Sequence, residues 1–195
     1  EEADQDYQLA AGISQDVEAD DSILDHTKAR LPWLVLALLG GFVSVRVLGL
    51  FEGAMVEHGK LFFFTPLIAA MAGNVGVQSS AIIVHGLANN TLSGSLFNRL
   101  VKEVSLSLLN GVILAIILFL GSHFLLNVEF IIGIIVTIAL ISVIIIASLI
   151  GTFIPLLLDK FGIDPALATG PFITTSNDIC GILIYFSIAK IILGF

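Results

Sequence analysis

Pro171-Phe-Ile-Thr-Thr-Ser-Asn-Asp-Ile-Cys-Gly-Ile-Leu-Ile-Tyr-Phe186 decides how this chain is read. With its flanks the stretch is apolar and long enough to cross a bilayer, yet it carries Asp178. A carboxylate near mid-bilayer costs roughly 2.5–3.5 kcal/mol on insertion scales. Such a residue faces a bundle interior or a water-filled cavity, where it commonly serves ions or protons. No other acid lies as far inside an apolar stretch of this sequence, so Asp178 marks a candidate site.

The rest of the chain agrees with a membrane setting. It has 195 residues, 57% hydrophobic and 12% charged, a composition that excludes an ordinary soluble domain. Five apolar spans are predicted at 31–51, 61–87, 103–125, 130–158 and 166–193, each at least as long as the roughly twenty residues that a helix needs to cross the hydrocarbon core. The expected fold is therefore an all-α membrane protein with five transmembrane helices per chain.

The net charge of −8 is misleading, because nine of the sixteen acids lie within residues 1–25. From His26 onward seven acids face eight bases, a balance of +1, and nothing suggests a nucleic-acid partner. Residues 1–30 read as an acidic linker or connecting helix, and 31–195 as the transmembrane pore domain. The N-terminus is acidic and polar, unlike a signal peptide. Since the first residue is Glu, the chain is expected to be a piece of something longer. The single cysteine, Cys180, allows no intrachain disulfide.

Lys28, Arg30, Arg99, Lys102 and Lys160 fall on one side of the membrane, and Lys60 and Lys190 on the other. The positive-inside rule then puts the N-terminus in the cytoplasm and the C-terminus outside. Trp33 sits where an interfacial aromatic belongs. Arg46, near the outer end of span one, reads either as a snorkelling side chain paired with Glu52 or as a residue at a pore mouth.

Spans two and five stand apart. Span two contains Pro66, Gly73, Asn74, Gly76, Gln78, Ser79 and Ser80; span five contains Gly170, Pro171, Thr174, Thr175, Ser176, Asn177 and Asp178. Both are expected to be interrupted helices, and paired interrupted spans point to a transport site. Steps of three and four residues place Gly170, Thr174, Asp178, Gly181 and Tyr185 on one face of span five, and Asn74, Gln78, Ala81 and His85 on one face of span two. Gly73, Gly76 and Ser80 form a neighbouring small-residue face, suited to close packing or to ligation. Asn74 and Gln78 either tie helices together or face the site. Asp178 is either a cation ligand or a buried structural acid.

Carboxylate, amide, hydroxyl and carbonyl oxygens are hard donors suited to magnesium or calcium. One carboxylate per chain is too little for a dehydrated cage, whereas a hydrated ion could be held through its waters. The four histidines, including His58, His85 and His123, lack zinc-ligand spacing. No G-x-x-x-x-G-K-[ST] or HExxH run is present, and no enzymatic activity is expected.

Three stretches, Lys28-Ala-Arg-Leu-Pro-Trp-Leu34, Met71-Ala-Gly-Asn-Val-Gly-Val-Gln-Ser79 and Asp164-Pro-Ala-Leu-Ala-Thr-Gly-Pro-Phe-Ile-Thr-Thr-Ser-Asn-Asp178, resemble the membrane domain of the MgtE magnesium channels. The resemblance implies a homodimer whose second and fifth helices line a pore at the dimer axis, in the cell (inner) membrane. It implies that Asp178 holds hydrated Mg2+, assisted by Gly170, Thr174 and Asn74. It also implies a cytosolic CBS-type regulatory domain, absent from this sequence, whose tail residues 1–6 resemble. The alternative functions are a less selective carrier of cobalt, nickel or zinc, and a cation-coupled exchanger.

Overall fold

A computed structural model describes residues 7–92, 94–168 and 170–194. After a helical turn at 7–10 come α1 (Ile23–Gly49), the short α2 (Glu52–Glu57), a 3-10 segment (Gly59–Phe64), α3 (Thr65–Ala88), α4 (Leu96–Phe124), α5 (Phe130–Lys160), a 3-10 turn (Pro165–Ala168) and α6 (Pro171–Leu193). Five of these segments, counting the 3-10 lead-in with α3, are long and apolar enough to span a membrane. The described residues contain no strand, so the all-α, five-span expectation holds.

The apolar runs and the helices differ at their ends. α1 starts at Ile23, eight residues before the apolar stretch, because Ser22 caps it: its hydroxyl oxygen accepts the Asp25 N–H at 3.3 Å. α4 likewise starts at Leu96, capped by Ser95 through the Asn98 N–H at 3.3 Å. Hydropathy marks where lipid begins, whereas capping chemistry marks where the helix begins.

The two spans read as interrupted are not broken at their glycines. α3 runs unbroken from Thr65 through Gly73 and Gly76, and α6 from Pro171 through Gly181. Pro66 and Pro171 both stand in the first turn, where the missing N–H has no helical partner to lose. The irregular backbone lies ahead of each helix, in the two 3-10 segments. There the carbonyl of Leu61 is buried and accepts the Tyr185 hydroxyl at 2.8 Å, as a low-dielectric interior requires.

α5 is the enclosed centre, packed against α3, α4 and α6, whereas α1 packs against α6 at the periphery. The core joins Leu61, Phe64, Ile68 and Ala72 to Ile135, Val136, Ala139, Leu140 and Val143 of α5 and to Tyr185 and Phe186 of α6. Without a hydrophobic drive between helices in lipid, association rests on close packing of small residues. Gly76 provides it twice. A Cβ on Gly151 would fall on the Gly76 carbonyl, and a Cβ on Gly76 would fall on the Asn177 amide. The small-residue face of span two is thus a packing face at Gly76.

At the end of the bundle away from the chain's N-terminus, Lys60 Nζ donates to Glu129 Oε1 at 2.8 Å. The hydrogen bond and charge of Lys60 hold the Glu129 carboxyl below the usual glutamate range. A depressed carboxylate adds stability above its unfolded pKa and loses it as pH falls through the folded value. Both side chains are exposed, so the pair contributes little to stability.

Two outcomes are expected. Gly151→Ala, which sets a methyl against backbone, destabilises the bundle by about 1–3 kcal/mol, read as a lower thermal midpoint in detergent; an unchanged midpoint would contradict this packing. In a carboxyl-carbon NMR titration Glu129 has its midpoint below that of free glutamate, and Lys60→Met moves that midpoint upward.

Candidate ion-binding site

The site is built from the start of α6. Gly170 is the N-cap residue, and its carbonyl accepts both the Thr174 N–H at 3.3 Å and the Thr174 hydroxyl at 3.4 Å. With its proton directed at Gly170, the Thr174 oxygen keeps its lone pairs toward other groups. Asp178 follows one turn later on the same side of α6, half-buried. Gly170 itself has no room for a side chain, since a Cβ would lie 2.6 Å from the Ala10 carbonyl oxygen.

Two open hollows meet at Thr174 and Asp178. One, of about 480 Å3, lies between α1 and α6 and is lined by Gly41, Ser44, Gly170 and Thr174 among others, with Asp178 in its wall. The other, of about 320 Å3, lies between α3 and α6 and is lined by Gly73, Asn74, Gln78, Thr174 and Asp178. Glycines let both neighbours approach. A Cβ on Gly73 would stand 3.1 Å from Thr174 Cγ2 and 3.4 Å from Asp178 Oδ1, and a Cβ on Gly40 would overlap the Thr175 methyl. Asp178 therefore looks out between two small-residue helix faces, with Asn74 and Gln78 exposed beside it.

All four expected site residues are gathered here, though in two groups. Gly170 shares the α1-side hollow with Thr174 and Asp178, and Asn74 shares the α3-side hollow with the same two residues. The rest of the expected polar face of α6 turns away: Gly181 packs on Ala72 and Tyr185 is in the core. On α3, Ala81 and His85 are exposed, beyond the hollow. Arg46 is exposed in the last turn of α1, and no ion pair joins it to Glu52.

The contribution of α1 was not anticipated from the sequence. Ala37, Gly41 and Ser44 line the larger hollow. Their four- and three-residue spacing is a small-residue stripe on one helix face, which was the available signal. The segment before α1 was missed as well. Gly12, at φ +79°, sits against the Pro171 ring, and Ala11 reaches the hollow.

Among the described residues, no Lys or Arg forms an ion pair with Asp178. Nor do three His, Cys, Asp or Glu residues gather at one point. Within one chain the site is thus a single carboxylate among hydroxyl, amide and carbonyl oxygens. Such a set suits a hard cation that keeps most of its water.

Comparison with known proteins places this chain in a family. Residues 65–188 match the MgtE family, described as a divalent cation transporter. The chain is 36% identical over 189 residues to the "Magnesium transporter MgtE" of Bacillus subtilis (strain 168), covering 96% of this chain and 42% of that protein. It is 36% identical over 200 residues to the same-named protein of Enterococcus faecalis, covering 100% of this chain and 43% of that one. The match to the one from Thermus thermophilus is 34% over 171 residues, covering 85% of this chain and 36% of that protein. The chain therefore spans about two-fifths of the length of these relatives, and the matched family segment runs from the start of α3 to near the end of α6. By that match and these identities, the chain belongs to the MgtE family of divalent cation transporters.

Proposed function

We propose that this chain forms the conducting part of a magnesium channel, passing hydrated Mg2+ down its electrochemical gradient through a pore that contains Asp178. The observation that carries the reading is the position of Asp178. It is a half-buried carboxylate on a membrane-spanning helix, open to two hollows and flanked by exposed Asn74 and Gln78. Lipid tails cannot solvate such a face; water or a second protein surface must cover it.

A homodimer meets that requirement. Two chains related by a dyad through the α3–α6 face would enclose both hollows and set two Asp178 carboxylates about one water-filled axis. Mg2+ dehydrates reluctantly, so the pair would act on the ion through its water shell, with Thr174, Gly170 and Asn74 accepting from those waters. Transport needs no second energy source, since a +2 ion crossing 100 mV gains about 4.6 kcal/mol at about 2.3 kcal/mol per charge. The names of the relatives support magnesium as the ion, and the family description supports a divalent cation. We place the assembly in the cell (inner) membrane as a multi-pass protein, with the Lys28 and Arg30 end cytoplasmic and the C-terminus external. This is a transport role, not an enzymatic one.

The test is magnesium uptake into liposomes containing the purified protein. Asp178→Asn removes the charge at constant shape and is expected to lower uptake roughly tenfold or more, equivalent to about 1.4 kcal/mol of lost ion stabilisation; unchanged uptake would refute the site. Uptake that tracks a sodium or proton gradient would favour a coupled exchanger. Equal uptake of cobalt, nickel or zinc would favour a less selective carrier. For the dimer, Asn74→Cys or Gln78→Cys in a Cys180→Ala background is expected to cross-link two chains, whereas monomer alone after oxidation would contradict the shared axis.

A further inference from the structure

Away from the pore acid, a polar seam joins α3, α4 and α5. Glu103, half-buried on α4, accepts the Ser79 hydroxyl of α3 at 2.6 Å. One turn further along α4, Ser107 donates to Ser148 of α5 at 2.6 Å, and both are buried. Thr152 follows one turn after Ser148, on the same face of α5. It is fully buried, and its hydroxyl has no hydrogen-bond partner within the protein. The transport site uses none of these groups.

Helix register brings Glu103, Ser79 and Thr152 to one level. Gly111 packs on Ile141 and Gly133 on Phe119, so α4 and α5 run antiparallel. From the Ser107–Ser148 bond, Glu103 is one turn back along α4 and Thr152 one turn on along α5. Both steps run the same way, by about 6 Å at 1.5 Å per residue, so the two residues share a layer. α3 and α5, as second and fourth spans, run parallel, and Gly151 sits against the Gly76 carbonyl. Counted from that contact, Ser79 and Thr152 differ in level by only about 3 Å. Pro155, buried in α5, has no N–H, which leaves the Gly151 carbonyl beside Thr152 without its helical donor.

We propose that Glu103, Ser79 and Thr152 form a second cation site within each chain, taking one alkali-metal ion between α3, α4 and α5. The donor set selects the class. Ser79 directs its only proton at Glu103, so its oxygen keeps its lone pairs, and the unpartnered Thr152 oxygen has two. Carboxylate and hydroxyl oxygens are hard donors, suited to a hard cation. One carboxylate balances one positive charge, whereas a divalent ion would leave charge uncompensated in the interior. The half-buried Glu103 opens the layer toward the Leu96 end of α4, where Arg99 and Lys102 precede it, and the Ser107–Ser148 bond closes the opposite side. The bound ion would tie α3 to its neighbours through Ser79, next to Gln78 of the α3-side hollow. The site does not depend on which ion the pore carries.

The experiment is the thermal midpoint of the purified protein in detergent, in choline, sodium and potassium chloride at equal ionic strength and without magnesium. Sodium or potassium is expected to raise the midpoint by about 2–4 °C over choline at saturation, and the larger response identifies the ion. Glu103→Gln is expected to abolish that rise, and Asp178→Asn to retain it. Equal midpoints in the three salts would overturn the site and leave Glu103 as an acid balanced by its own helix. A rise lost with Asp178→Asn and kept with Glu103→Gln would overturn it too, by moving the ion to the pore acid. Thr152→Val keeps the shape and serves if Glu103→Gln fails to fold. It is expected to raise the salt concentration at half-maximal shift several-fold. A lower midpoint in every salt with an unchanged titration would show Thr152 to be structural alone, against the proposal.

Discussion

The contact at Gly76 is the constraint on which the bundle depends. Helices in lipid gain nothing from hiding apolar surface from one another, so they are held by shape and by polar satisfaction. At Gly76 α3 has no side chain, Gly151 has none opposite it, and Asn177 occupies the space that a Cβ would fill. That approach sets the distance of α3 from both α5 and α6. The depth at which Gly73 meets Thr174 and Asp178, one turn earlier on α3, follows from it. Packing inside the chain therefore decides the geometry of the carboxylate that faces out of it.

The same logic explains why spans two and five are rich in polar and small residues yet remain whole helices. Glycine in a membrane helix can signal either a break or a close neighbour, and composition does not separate the two. Here Gly73, Gly76 and Gly181 each meet a specific partner: Thr174, Asn177 and Ala72 respectively. The backbone irregularity was displaced to the two 3-10 segments, where Pro66 and Pro171 restart the helices.

Much of this was legible before any coordinates. Hydropathy located all five spans, and the misfit of a carboxylate in an apolar segment located Asp178. Helical spacing brought Thr174 alongside it and put Asn74 and Gln78 on one face. Helix starts were less legible, since Ser22 and Ser95 act through one or two local hydrogen bonds that hydropathy does not weigh. The Ala37, Gly41 and Ser44 stripe was hidden for a different reason: one small-residue face on an otherwise apolar helix gains meaning only once its neighbour is known. The inward turn of Asn177 was hidden too, because adjacent polar residues on a helix look alike in sequence while pointing about 100° apart.

The peripheral place of α1 has a consequence for how the chain is assembled. Its long-helix partner is α6, the last of the five spans in chain order, while α3 and α4 each pack on α5. During synthesis the first span must wait in lipid, flanked by chain that offers it no lasting partner, until the fifth is inserted. The three middle helices can settle in the meantime. Completion of the acid-bearing face and capture of the first span are then one event, so a chain stalled before Pro171 would hold a core still lacking Tyr185 and Phe186 and an unclaimed first helix.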